Sequence, residues 1–267
     1  MSTALTVPPY QESPGVKNFS VLAVRVDAVQ IPDVVARVEE WIARREECRY
    51  IAVTGMHGVT EAQHDSQFKE ILNSAGLVVP DGMPLVWLGR LQGFALPRRV
   101  YGPEFMLTLC KLSSSKRYRH FFFGGGLGVP EKLSEVLRGE CPGLKVVGTF
   151  SPPFEPLRPG EDEKIVSLIN AAAPDILWVG LSTPKQERWM HAHRDRLKVP
   201  VLVGVGAAFD INSGMKKQAP AWMREHGLEW LFRLLQEPRR LWKRYLVNGP
   251  EFLFWVAMEQ LGLRKFD

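Results

Sequence analysis

Short apolar runs alternate with amphipathic stretches over most of the chain. Residues 50–53, 77–79, 120–123, 144–149, 176–179 and 201–205 are apolar runs of strand length, each followed by turn residues. Residues 21–29 alternate apolar and polar positions and predict a first strand. Between the runs the spacing is helical. Residues 32–45 place Val34, Val35, Val38, Trp41 and Ile42 at helix intervals. A helix is predicted from the turn at 54–58 to about 73, and others near 84–92, 103–112, 130–138 and 162–172. This repeated strand–turn–helix rhythm predicts an α/β domain with a mainly parallel sheet. From residue 219 onward the pattern is helical alone. Pro238 is expected to begin a new helix, in which Leu241, Trp242, Tyr245 and Leu246 fall largely opposite Arg239, Lys243 and Arg244. Such a helix reads either as packed on the domain with a solvated basic side, or as lying on an anionic membrane surface. The expected division is a disordered tail at 1–18, a catalytic core at 19–218 and a basic amphipathic helical appendage at 219–267.

Charge sharpens that division. Of the formal net charge of +5, residues 216–267 carry +4, with ten Lys/Arg against six Asp/Glu, which leaves +1 for the first 215 residues. An anionic surface partner is therefore expected at the C-terminal end, and nothing in the chain calls for a nucleic acid. Cys48, Cys110 and Cys141 lie far apart, which suits a reducing compartment and shows no metal-ligand spacing. The first eighteen residues lack the basic start and apolar core of a secretion signal. No run approaches the ~18 apolar residues of a membrane span.

The strand ends hold the candidate chemistry. Turns at 54–58, 80–83, 124–128, 181–186 and 206–210 each follow an apolar run, and in a parallel sheet they converge at the carboxyl edge, where ligands bind. Gly124, Gly125 and Gly126 would let the backbone approach a phosphate or sugar. The stretch GGGLG is not G-x-G-x-x-G and no acidic residue ends the next strand, which argues against a nicotinamide cofactor. Ser182-Thr183-Pro184 reads as a helix start, with Lys185 and Gln186 beside N–H groups open to an anion. Asp81 follows an apolar strand and precedes Gly82. It reads as a general base on a hydroxyl or as an Asp-Gly turn residue. Arg99 reads as a bidentate diphosphate ligand or as a solvated loop charge. Thr54, His57, Gly206 and Asp210 occupy the same edge; His57 is a candidate substrate contact, and Asp210 alternatively caps the turn at 211–214. The chain has no Asp-x-Asp, H-E-x-x-H or paired C-x-x-C, so no metal and no cofactor is expected.

Taken together, VVPDGMPLVW, RRVYGPEF, FFFGGGLGVPEKL, CPGLKVVGTF, PDILWVGLSTPKQERWM, VGVGAAFDINSG, QAPAWMREHGLEWLFRLLQEPRR and KRY resemble the WecG/TagA/CpsF family of glycosyltransferases from about residue 21 to 244. The resemblance implies a Rossmann-like sheet with helices on both faces and a C-terminal helical appendage that associates with membrane. It implies inverting, metal-independent transfer from a UDP-sugar to a polyprenyl-diphosphate glycolipid at the cytoplasmic face of the inner membrane, in surface or exopolysaccharide synthesis. The family's base corresponds to Asp81, and its substrate residues to Thr54, Arg99 and Gln186, the last expected to help hold the charge of leaving UDP. Arg233, Arg240 and Arg244, flanked by Arg239 and Lys243, match the basic residues that meet the lipid diphosphate and membrane. Self-association covering the apolar C-terminal face is a further expectation. Gly55-Met56-His57-Gly58 lacks the asparagine of many members, and Asp81-Gly82-Met83-Pro84 lacks their DG-x-G. Donor identity therefore stays open among N-acetylmannosamine, its uronic acid, glucose and glucuronic acid. The alternative is a catalytically idle module that binds nucleotide or glycolipid at a membrane surface.

Overall fold

A computed structural model describes residues 15–153 and 158–266. Of the expected tail at 1–18, residues 1–14 lie outside these, and Asn18 already belongs to a strand. Residues 154–157 of the Pro-rich loop also lie outside. Among the described residues, six strands form a parallel sheet in the order β4-β3-β8-β7-β5-β6. They are β3 (Arg49–Thr54), β4 (Leu77–Pro80), β5 (Arg119–Gly124), β6 (Lys145–Phe150), β7 (Ile176–Gly180) and β8 (Val201–Gly204). Ile176, Leu177, Trp178 and Val179 are fully buried, as are Val201, Leu202 and Val203. Burial on both faces explains why these strands read as continuous apolar runs rather than as alternation. Inside the sheet Trp178 Nε1 donates to His120 Nδ1 at 2.9 Å. Burial pulls the His120 ring down to about 3, so it is a neutral core histidine.

The chain packs as two units. One comprises 30–53 and 100–218. Its helices are α1 (Ile31–Arg44), α5 (Gly102–Lys116), α6 (Val129–Glu140), α7 (Glu161–Ala172), α8 (Lys185–His193) and α9 (Ala208–Asn212). In α1 the buried residues Val34, Val38, Trp41 and Ile42 form the stripe that the sequence spacing predicts.

The other unit comprises the described residues through Val29, with 54–99 and 219–266. Here the predicted first strand is corrected. It is an antiparallel hairpin, β1 (Asn18–Val21) and β2 (Val24–Asp27), with Val21 opposite Val24. Leu22 and Ala23 form the turn at φ 51° and 59°, the left-handed region that a two-residue hairpin turn demands. Gln63 Nε2 donates to the Leu22 carbonyl at 2.8 Å and Asn73 Nδ2 to the Ala23 carbonyl at 3.0 Å. These bonds hold two non-glycine residues in a costly conformation. The single helix expected to about 73 is also corrected to α2 (Met56–His64) and α3 (Ser66–Asn73). Asp65 divides them as an N-cap, its carboxylate accepting from Phe68 N at 2.9 Å. Helix α4 (Met83–Leu91) follows β4. Near the C-terminus come α10 (Ala221–Glu225), α11 (Glu229–Gln236), α12 (Pro238–Trp242), a π-helical stretch at Lys243–Val247, and α13 (Asn248–Gln260). No helix of the described residues is long and apolar enough to cross a membrane.

Candidate active site

Asp81 is held by backbone geometry. Its N–H donates to the Thr54 carbonyl at 2.7 Å, joining the ends of β3 and β4. A Cβ on Gly55 would lie 2.4 Å from the Asp81 carbonyl oxygen, so a side chain at 55 would break this crossing. Gly82, at φ +150°, then turns the chain into α4. The Asp81 side chain keeps 28% of its surface accessible, yet its Oδ1 is sealed from solvent and makes no hydrogen bond. The Thr54 hydroxyl is likewise sealed and unbonded.

Charged groups from three segments act on this carboxyl. Arg90 donates to the carbonyls of Leu96 and Pro97 at 2.7 Å each and so fixes the loop that carries Arg99. Arg99 Nη1 lies 3.7 Å from Asp81 Oδ1, while its Nη2 pairs with Glu229 at the start of α11. Arg233, one turn beyond Glu229, and Arg244 also act on Asp81. Burial is the strongest influence and pushes the Asp81 carboxyl up to about 6. Arg99 pulls it down, Glu229 pushes it up, and Arg233 and Arg244 pull it down. This is the range of a general base working near neutral pH. Burial lowers the Arg244 guanidinium from its ordinary value, and its Nε makes no hydrogen bond.

The sequence grouped Arg244 with Arg239 and Lys243 on one exposed basic side; this grouping is corrected. The π-helical stretch from Lys243 to Val247 winds with a wider turn than an α-helix, so a 100° register does not carry through it. Arg244 is half-buried and acts electrostatically on Asp81, whereas Arg239, Arg240 and Lys243 stay exposed. Arg240 pairs with Glu237. His57 joins a different cluster, in which Asn248 Nδ2 lies 3.4 Å from His57 Nδ1 and donates to Glu61 Oε1 at 3.1 Å. It thereby ties α2 to α13.

The second unit carries the glycine turns and the PKQE segment. Gly124 and Gly180 are register partners at the ends of β5 and β7. Gly125 N donates to the Gly180 carbonyl at 2.9 Å, and Gly126 accepts from Ser151 Oγ at 2.8 Å. In α8, Gln186 is 2% exposed and Glu187 is fully buried, while Lys185 is exposed. Gly204 leaves room for the amide: a Cβ there would stand 3.1 Å from Gln186 Nε2 and 2.6 Å from Met190 Cε. Gly206, at φ +50°, borders the Gln186 carbonyl oxygen. The Asp210 carbonyl, not its carboxylate, closes the following turn, accepting from Ser213 Oγ at 3.2 Å and Lys216 N at 2.9 Å. Asp210 lies within α9, and its carboxylate pairs with Lys216 at 2.7 Å.

The structure thus brings Asp81, Arg99, Arg233 and Arg244 together in one unit, and Gln186 and Gly206 together in the other. The sequence reading missed Glu229 and Glu187. The four-residue spacing of Glu229 and Arg233 is a legible ion-pair signal on a helix, but its approach to Arg99 is a long-range contact. Glu187 reads as an ordinary acidic residue of a first turn.

The charged cluster yields a pH prediction. If Asp81 must be ionised, kcat/KM of the free enzyme falls as pH drops through about 6. Glu229→Gln should move that limb to lower pH, and Arg99→Gln should move it to higher pH. Initial-rate profiles from pH 4.5 to 8 read both shifts. Equal limbs in all three proteins would remove Asp81 as the titrating group.

The carboxyl and its arginines in one unit, and the glycine turns at the ends of β5 and β7 in the other, belong to an α/β fold with a six-stranded parallel sheet. The chain belongs to the glycosyl transferase WecG/TagA/CpsF family, whose model matches residues 19–266. It is 32% identical over 205 residues to an N-acetylglucosaminyldiphosphoundecaprenol N-acetyl-β-D-mannosaminyltransferase of Bacillus spizizenii, covering 77% of each chain. It is 31% identical to the protein of the same description from Bacillus subtilis, over 76% of each. With that from Staphylococcus aureus it is 25% identical over 256 residues, 96% of this chain and 98% of the relative.

Proposed function

We propose that this protein is a hexosyltransferase that moves a sugar from a UDP-sugar to a polyprenyl-diphosphate-linked saccharide in bacterial surface-polymer synthesis, inverting the anomeric centre without a metal. The observation that carries this reading is the Asp81 carboxyl, raised to about 6 beside Arg99, Arg233 and Arg244. The names of the relatives supply the acceptor class, an N-acetylglucosaminyl-diphosphate lipid. Asp81 takes the proton from an acceptor hydroxyl. That oxygen attacks C1 of the donor sugar, the bond from C1 to the UDP oxygen breaks, and UDP leaves with the electron pair. The arginines around Asp81 balance the acceptor diphosphate. N–H groups at the start of α8, with Lys185, suit the nucleotide phosphates.

The test is UDP release from a panel of UDP-sugars with a short-chain polyprenyl-diphosphate saccharide, in EDTA. Acceptor-dependent release from one donor is expected. UDP binding without release from any donor–acceptor pair would favour the idle binding module instead.

The protein would work at the cytoplasmic membrane face as a peripheral protein. Trp242, Leu246, Leu253 and Phe254 are between 46% and 62% exposed and share the C-terminal helices with exposed Arg239, Arg240 and Lys243. Cosedimentation with anionic vesicles is expected, weakened by salt and by charge reversal at Arg239, Arg240 and Lys243. Equal sedimentation of the reversed variant would remove this surface from membrane binding.

A further inference from the structure

The Gln186 amide has a fixed orientation. Glu187 Oε1 accepts from Thr183 Oγ1 at 2.8 Å and from Gln186 Nε2 at 2.9 Å. A carboxylate oxygen only accepts, so the end of the amide turned to Glu187 is its NH2 group. The carbonyl oxygen faces the other way. It is sealed, makes no hydrogen bond, and lies 3.5 Å from where a Cβ on Gly206 would stand. Ser182 and Gly206, the residues of the two strand-end turns at this point, are both left-handed, at φ 64° and 50°. Gly206 sets no side chain beside this oxygen, at the strand-end edge where ligands of such sheets bind.

A buried acceptor left unpaired is costly, and its chemistry is specific. It attracts N–H or O–H and repels a phosphate oxygen. The sequence alone assigns Gln186 to the leaving diphosphate, and the orientation argues otherwise. We propose that Glu187 is a positioning residue that turns the Gln186 carbonyl toward the ligand, so that Gln186 accepts a hydrogen bond from a neutral N–H or O–H group and holds none of the diphosphate charge. This rests on the UDP-sugar reading above. Such a donor has three neutral sources of hydrogen, the uracil N3–H, the ribose hydroxyls and the hydroxyls of the transferred sugar.

Calorimetric titration of wild type and Gln186→Leu with UMP, UDP, N3-methyl-UDP and the active UDP-sugar tests the proposal. The decisive quantity is the affinity gained from UMP to UDP, which reports the diphosphate contact. It should be the same in both proteins. If the uracil is the source, Gln186→Leu weakens UMP and UDP alike, by about tenfold, and leaves N3-methyl-UDP unchanged. If a ribose hydroxyl is the source, N3-methyl-UDP weakens together with UMP and UDP; if the transferred sugar is the source, only the UDP-sugar weakens. A reduced gain from UMP to UDP, or no change with any ligand, overturns the proposal. Glu187→Gln keeps an acceptor for Thr183 and Gln186 and should retain wild-type affinities, whereas Glu187→Leu should bind like Gln186→Leu.

A ligand-free measurement stands beside these. The Gln186 side-chain NH2 resonances should be protected from solvent exchange in wild type and Glu187→Gln, and lose protection in Glu187→Leu. Unchanged protection in Glu187→Leu overturns the positioning role. Wild type that binds no uridine nucleotide, yet shows this protection pattern, would instead count against the UDP-sugar reading.

Discussion

Asp81→Asn is expected to lower kcat by about 10²–10⁴-fold, the usual contribution of a general base, while UDP affinity stays within a few-fold of wild type. The same substitution should make the protein more stable. The folded state raises the Asp81 carboxyl from 3.8 to about 6. Between these values the native protein holds a proton that the unfolded chain has lost. Stability from this group therefore falls as pH rises from about 4 to 6, and above 6 the ionised carboxyl is a standing cost. A shift of this size corresponds to at most about 3 kcal/mol, reduced because the side chain is partly accessible and because Asn gives up the attraction of Arg99. A gain of about 1–2 kcal/mol would raise Tm by several degrees in a chain of this size. Thermal unfolding at pH 7.5 and pH 4 checks the sign: the variant should gain at the first and match wild type at the second. An inactive variant that is less stable at pH 7.5 would mean that the arginines outweigh burial. An active variant would end the assignment of Asp81 as base.

What the sequence reveals of this site depends on how local each cause is. The β7 and β8 strands are legible because burial on both faces makes each an unbroken apolar run. Asp81 stands out as a candidate because it follows an apolar strand, although the same Asp-Gly pair also reads as a turn. The hairpin turn at Leu22 and Ala23 is hidden, since neither residue advertises a left-handed φ. It is held by Gln63 and Asn73, more than forty residues away. Arg244, which the family resemblance matches to a lipid-diphosphate residue, is misplaced by the helical wheel for another reason. The wheel that put it on the solvated side assumes α-helical winding, and the π-helical stretch changes the winding at Lys243. Glu229 and Glu187 each act by orienting another side chain, Arg99 and Gln186. Only the folded arrangement shows which neighbour an acidic residue serves. The chemistry-bearing atoms are thus easier to find in a sequence than the groups that aim them.

Gly124→Ala tests how firmly the strand ends are held. A Cβ at this position would come within 2.7–2.8 Å of the nitrogen, carbon and oxygen of Gly180. Those are backbone atoms of the paired strand, so no rotamer change relieves the contact. Gly124 also sits at φ +123°, where an alanine is strained regardless of space. Gly180 cannot retreat easily, because the Phe209 ring stands 2.8 Å from where its own Cβ would be. A loss of about 3–5 kcal/mol is expected, a Tm drop of roughly 10 °C or more. Gly128→Ala is the control. Its φ of +79° is also left-handed, but nothing lies within 4 Å of the added carbon, so about 1 kcal/mol is expected from backbone strain alone. The gap between the two variants isolates the steric part. Where Gly124→Ala still folds, at low temperature, it should bind UDP more weakly than Gly128→Ala, because the Gly125 N–H bond to Gly180 cannot persist beside the displaced strand. Equal Tm values for the two variants would show that the β5 and β7 ends part without cost, and would leave the glycine turn with no steric reason to be glycine.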